Sequence, residues 1–270
     1  LSAIIFFPLL ILFAKYARLP HNPDIIYGEE RLRKRIRSFL FDALFYLSSA
    51  TIMIVFLPTL VLPKAAVFWA GRVWVRTSMG LLKGIVGLSY RVEGLENLPK
   101  DGGYIVASKH ESAWETLIFH CLVPHPSFAL KQELMWIPVM NLYFKRMGTV
   151  SIRRGSGASA IKSLIQGAQR VMAEKRPLVI FPEGTRAVSG RPGEYQAGVA
   201  ALYRNLNVPV IPVALNSGLF WGRRSPIKHS GKITLKFLPP ILPGLSRADF
   251  MAQMVDSIEG ACAQLNKEAT

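Results

Sequence analysis

From Leu88 to Phe237 the chain alternates short apolar runs of strand length with longer runs of helical pattern, and no other feature constrains its fold as tightly. The strand-like runs are Ser89–Val92, Tyr104–Ala107, Ser127–Leu130, Thr149–Ile152, Leu178–Phe181, Val210–Leu215 and Ile233–Phe237. Helical runs fall between several of them, notably Ala158–Glu174 and Ala197–Asn205, and an amphipathic segment, Ala248–Lys267, closes the chain. Strands and helices in alternation predict an α/β fold with a largely parallel sheet flanked by helices. In such an open sheet, reactive groups belong in the turns beyond the carboxyl ends of the strands.

Two turns carry such groups. The run Gly103–Ala107 feeds Ser108-Lys109-His110-Glu111-Ser112-Ala113-Trp114-Glu115. On one continuous helix, positions five apart diverge by about 140°, so His110 and Glu115 would not share a face. They meet if the helix starts after His110, and Ser112-x-x-Glu115 is a capping-box pattern that places the start there. One reading makes Glu115 the carboxylate that orients the His110 imidazole as a general base. The other makes Glu115 a helix cap and His110 an ordinary turn residue.

The second turn, Phe181-Pro182-Glu183-Gly184-Thr185-Arg186, follows the apolar strand Leu178-Val179-Ile180. It reads either as an anion cradle, with Gly184 letting backbone N–H groups approach and Arg186 offering a planar fork, or as a tight turn alone. A third strand ends in cations at Gly148–Arg154, which a solvated basic loop explains equally well. The Gly155-x-Gly157-x-x-Ala160 run is a weak dinucleotide fingerprint inside a Gly/Ser-rich turn. The sequence holds neither a G-x-S-x-G elbow nor a phosphate-binding G-x-x-x-x-G-K-[ST] loop. A histidine, a carboxylate and arginines remain, a set that suits direct attack by a substrate hydroxyl on an activated acyl group.

The amino-terminal third differs. Half of the 270 residues are hydrophobic and the formal charge is +16, a combination that points to an anionic membrane surface or an anionic substrate. Nucleic acid is not expected, because the cations are scattered and no recognised binding motif is present. Cys121 and Cys262 are too few for a disulfide framework, and His120, Cys121 and His125 lack a second cluster at metal-ligand spacing, so no metal is expected. Leu1–Ala14 is apolar but short and interrupted by Pro8; with neither a basic run before it nor a small-residue cleavage site after it, it does not read as a signal peptide. Phe39–Pro63 is long enough to span a bilayer, and Asp42 is the acid near its start. Its flanks are both basic: Arg31–Arg37 before it, and Lys64, Arg72, Arg76 and Lys83 after it. A segment that dips into one leaflet and returns along Ala65–Val86 keeps both flanks on one side; a spanning helix with a basic far side is the alternative. On the returning helix Arg72, Arg76 and Lys83 fall within about 40° of one another. Three regions follow: an apolar segment and basic linker over 1–38, a membrane-embedded helical hairpin over 39–86, and an α/β domain over 87–270.

Taken together, these stretches resemble the glycerolipid acyltransferase family, most closely its bacterial 1-acyl-glycerol-3-phosphate acyltransferases. His110-x4-Glu115 looks like the family's His-x4-Asp motif, with glutamate for aspartate. Gly148–Arg154 looks like the second motif, mapping its arginine to Arg154. Phe181–Arg186 matches the third in full, and Val208–Ala214 looks like the fourth. The resemblance covers about Leu88–Phe237. It implies transfer of a fatty acyl chain from acyl-CoA or acyl carrier protein, as co-substrate and without a further cofactor, to the sn-2 hydroxyl of lysophosphatidic acid, giving phosphatidic acid. His110 takes the hydroxyl proton and Glu115 holds His110. Arg154, Glu183, Gly184, Thr185 and Arg186 form the phosphate site, with Lys109 and Lys131 as auxiliary cations. The implied location is the bacterial cytoplasmic membrane, with the site on its cytoplasmic face. Another lysolipid as acceptor, such as a lyso-ornithine lipid, and a non-catalytic membrane-binding role are the competing expectations.

Overall fold

The computed structural model describes residues 25–153 and 157–269, with side chains from residue 29 onward. The apolar segment Leu1–Ala14 and Arg154 lie outside the described residues. Seven strands form one sheet: β1 (Leu88–Glu93), β2 (Ile105–Ser108), β3 (Ser127–Lys131), β4 (Val150–Ile152), β5 (Leu178–Ile180), β6 (Val210–Leu215) and β7 (Gly231–Phe237). Their spatial order is β1-β7-β6-β2-β5-β3-β4. Every pairing is parallel except β6–β7, so β1 and β7 run against the other five. Each strand coincides, within two residues at either end, with an apolar run read from the sequence.

Helices cover both faces. β2 and β5 are buried along their whole length, as expected for parallel strands sandwiched between helices. Val106 and Val179 point to one face, among the buried apolar residues of α3 (Trp114–Leu122) and α2 (Lys64–Leu81). Ile105, Ala107, Leu178 and Ile180 point to the other, towards α5 (Gly157–Ala173), α6 (Ala197–Leu206) and, beyond the short α7 (Ser217–Phe220) that follows β6, α8 (Arg247–Ala269). The period-two alternation of side chains across a strand thus divides the core into two layers.

The amino-terminal helices lean on the first of these layers. α1 (Ile25–Val55) takes in the basic run 31–37, which the sequence reading made a linker. Those residues are good helix formers, and Glu30 and Lys34 pair across one turn at 2.7 Å, so the helix continues without a break into the apolar stretch. The chain reverses over residues 56–63, and α2 returns antiparallel to α1. Phe56 meets Trp69 edge-on at 5.1 Å, and Trp74 Nε1 donates to Ser49 Oγ at 2.8 Å. Asp42, the acid in the apolar run, forms a buried ion pair with Lys228 of the loop before β7. Phe41 beside it is fully buried against Trp221. The far side of the pair keeps large apolar side chains in the open, among them Leu40, Leu47, Val61 and Trp69. By length and composition Glu29–Val55 could cross a bilayer. A short helix, α4 (Met140–Met147), follows β3 and packs against α2.

Close packing dictates glycine at position 167. A Cβ on Gly167 of α5 would lie 2.5 Å from Val150 Cγ1 on β4. Gly260 of α8, by contrast, has nothing within 4 Å. Helix propensity favours alanine at both by about 1 kcal/mol, whereas overpacking costs about 1–3 kcal/mol. Gly260→Ala should therefore raise the melting temperature and Gly167→Ala should lower it, as read by circular dichroism of the purified variants.

Candidate active site

The β2–α3 turn is built around Glu115. Its side chain is fully buried, and Oε1 accepts from the backbone N–H groups of Glu111 at 2.8 Å and Ser112 at 2.6 Å. The same oxygen meets His110 Nδ1 at 2.8 Å, and Oε2 accepts from Ser217 Oγ at 2.9 Å. His110 and Glu115 are thus brought together as the first sequence reading expects. Only half of the capping box forms. Glu115 reaches back to Ser112, but Ser112 Oγ takes the N–H of Trp114 at 3.1 Å, and Ala113, with no side-chain cap, begins the helix. The His110 ring keeps 13% of its surface accessible and stacks on Phe181 at 4.2 Å between centroids.

The 181–186 turn docks directly onto this one. Gly184, at φ +64°, closes it by donating its N–H to Phe181 O at 2.9 Å. Ala187 N–H donates to His110 O at 2.7 Å, which fixes Arg186 next to the histidine in space. Glu183 does not face outward as part of an anion cup. It is buried, with Oε2 accepting from the His110 N–H at 2.9 Å and Oε1 from Lys109 Nζ at 2.8 Å. Lys109 is equally buried and also donates to Glu259 Oε1 at 2.6 Å, where Tyr195 OH donates too. Burial opposes the charge on Lys109, but Glu183 and Glu259 outweigh it and leave its pKa above the ordinary lysine value. Lys109 and Glu183 therefore lock the two turns together, a correction to their expected phosphate-binding role. A carboxylate aimed at a phosphate would repel it. Thr185 is exposed on the turn. Lys131 is exposed at the end of β3 and pairs with Glu133 at 3.1 Å.

Arg186 opens onto a cavity of about 760 Å³. Its walls come from Ala113 and Thr116 after His110, from residues 133–140, from the loop Trp221–Lys228, and from Asp42, Tyr46 and Met53 of α1. The amino-terminal helix is therefore one wall of the site. An apolar pocket of about 80 Å³ shares Ser49, Met53, Trp74 and Met140 with this cavity and reaches His120 and Met147.

Residues 89–216 match the Acyltransferase family model. This stretch is similar to the acyltransferase family. Over 166 residues the chain is 32% identical to a 1-acyl-sn-glycerol-3-phosphate acyltransferase of Pseudomonas aeruginosa, an alignment covering 62% of this chain and 64% of that protein. It is 29% identical over 175 residues to one of Borreliella burgdorferi, covering 64% and 70%. It is also 32% identical over 165 residues to one of Limnanthes douglasii, covering 60% and 58%. The chain thus spans about three fifths of the length of the first relatives it matches. The crystal structure of the 1-acyl-sn-glycerophosphate (LPA) acyltransferase PlsC from Thermotoga maritima superposes with a TM-score of 0.72 at 23% identity, covering 86% of this chain and 98% of that one, and so shares its fold.

Two residues packed around the site escaped the sequence reading. Ser217 lies 102 positions from the glutamate it contacts, and no local pattern marks it. Glu111 is 1% exposed; Oε2 accepts from the Gly218 N–H at 3.0 Å while Oε1 has no partner among the described residues. Burial foremost, with the neighbouring Glu115 charge, overcomes the Gly218 hydrogen bond and pushes its pKa up to about 7. A raised carboxyl pKa holds its stability contribution below the unfolded value of 4.5 and loses it as pH rises through about 7. The loss is on the order of 3 kcal/mol. Glu111→Gln should thus melt close to the parent at pH 5 and clearly above it at pH 8, a difference that thermal denaturation at the two values measures.

Proposed function

We propose that the chain transfers a fatty acyl group from acyl-CoA or acyl carrier protein to the sn-2 hydroxyl of 1-acyl-glycerol-3-phosphate, forming phosphatidic acid. The observation that carries this reading is the His110–Glu115 pair, in a turn that runs on into Ala113 and Thr116 of the wall of a large, partly apolar cavity that Arg186 also lines. The curated relatives' names agree with it.

The chemistry follows from the hydrogen bonds. Donation of Nδ1–H to Glu115 leaves the lone pair of His110 on Nε2, free to accept a proton from a bound hydroxyl. The hydroxyl oxygen attacks the thioester carbonyl carbon as its proton passes to Nε2. The tetrahedral adduct collapses, the C–S bond breaks, and the imidazolium returns the proton to the departing thiolate. Glu115 stabilises the transient cation and keeps the ring from turning. Phe181 stacked on the ring restrains it further. Arg186 holds the phosphate, and the apolar pocket between α1, α2 and α4 receives acyl chain.

The acceptor is a membrane lipid, and the helical hairpin supports delivery from the bilayer. Its outward side chains Leu40, Leu47, Val61 and Trp69, together with Trp136 at the cavity mouth, form an apolar surface suited to dipping into one leaflet. The cations that flank the hairpin would then rest on the anionic cytoplasmic face, at about 1 kcal/mol each.

Purified protein given labelled thioester and a panel of lysolipids tests the proposal. Transfer is expected to acceptors bearing a phosphomonoester, and His110→Ala should reduce it by about a hundredfold or more with the fold intact. Preference for a neutral or zwitterionic lysolipid would redirect the assignment to another acceptor, and full activity without His110 would remove it.

A further inference from the structure

We propose that Arg224 is the second arm of the headgroup site, clasping a dianionic phosphomonoester against Arg186. This rests on the acceptor reading above and adds the residue that selects among headgroups. Five charged side chains line the large cavity: Asp42, Glu133, Arg186, Arg224 and Lys228. Asp42 and Lys228 pair with each other, and Glu133 pairs with Lys131. Arg186 and Arg224 are in no ion pair among the described residues. Two guanidiniums outside any ion pair on the wall of one cavity offer two positive charges to a ligand. Planar forks of this kind match the oxygens of a terminal phosphate.

The backbone at Arg224 supplies a second, independent argument. Ser225 N–H donates to Gly222 O at 3.1 Å, closing a turn whose third residue is Arg224 at φ +58°. That position of a tight turn favours glycine or asparagine. An arginine there is strained, and strain of this sort gathers at ligand sites. The surrounding loop is firmly anchored. Lys228 N–H donates to Ser38 Oγ at 2.9 Å, and Lys228 Nζ bonds Pro226 O at 3.2 Å as well as Asp42. Both anchors stand on α1, so the amino-terminal helix holds the loop that presents Arg224. Arg223 and Arg224 are both exposed, and of the two only Arg224 belongs to the cavity lining.

Arg224→Asn removes the guanidinium while tolerating the positive φ, and Arg223→Asn serves as the control. Equilibrium binding of 1-acyl-glycerol-3-phosphate, of 1-acyl-glycerol, and of inorganic phosphate as competitor is measured with the full chain in detergent, beside kinetics with varied acceptor and donor. Loss of one charge-assisted contact should weaken binding of the phosphorylated lipid by about tenfold or more. The acceptor KM should rise in step, with kcat within about threefold. Binding of 1-acyl-glycerol and the donor KM should hold, the melting temperature should not fall, and Arg223→Asn should behave as the parent. Inorganic phosphate should compete less well against the parent than the intact lipid does, which separates headgroup recognition from a free-phosphate site. Unchanged binding in Arg224→Asn, an equal loss for 1-acyl-glycerol, or a change confined to the donor KM would each overturn the clamp. Should the parent transfer to no acceptor at all, the transferase reading falls while the binding comparison still decides the role of Arg224.

Discussion

One buried carboxylate organises the site. Glu115 gathers two backbone N–H groups, a serine hydroxyl and an imidazole around its two oxygens, and each contact pins a different piece of chain. The N–H donors shape the turn that ends β2, Ser217 ties in the end of β6, and His110 receives its orientation. Removing a buried charge of this kind strands several donors at once, a larger cost than the net worth of any single bond. The site's geometry and the local fold are therefore the same structure, viewed once for stability and once for chemistry.

Around that centre the charges are sorted by depth. The Lys109–Glu183–Glu259 cluster lies beneath the two turns, where its ion pairs hold β2, β5 and α8 in register. Such buried pairs contribute less to stability than to fixing one arrangement among several. Arg186, by contrast, stays at the cavity, free to meet an anion. The amino-terminal helices are part of this plan. Asp42 and Phe41 attach α1 to the loop before β7, and Met53 and Tyr46 complete the cavity wall. The same helix thus has an outward side bearing exposed apolar side chains and an inward side that lines the cavity.

Much of this was legible in the sequence, for identifiable reasons. The strands could be read because parallel strands buried on both faces are nearly continuous apolar runs, as in Leu178-Val179-Ile180. His110 and Glu115 could be paired because a short-range turn decides their meeting. Lys109 was assigned as a cation near the sheet edge and Glu183 through the motif that contains it, but the partners Glu259 and Tyr195 come from distant elements that no local pattern announces. The solitary Asp42 in an apolar stretch was a visible anomaly, yet its partner, Lys228, is 186 residues away. The antiparallel turn of β7 was likewise invisible, since strand direction is set by the connection and by neighbours rather than by composition.

The account stands on Glu115 acting through the orientation of His110, and single-turnover acyl transfer by Glu115→Gln measures that directly. The amide keeps the size of the side chain but removes its charge and disturbs the ring's tautomer, so the chemical step should slow by roughly a thousandfold or more while acceptor binding is retained. A rate within about tenfold of the parent in a folded variant would contradict it.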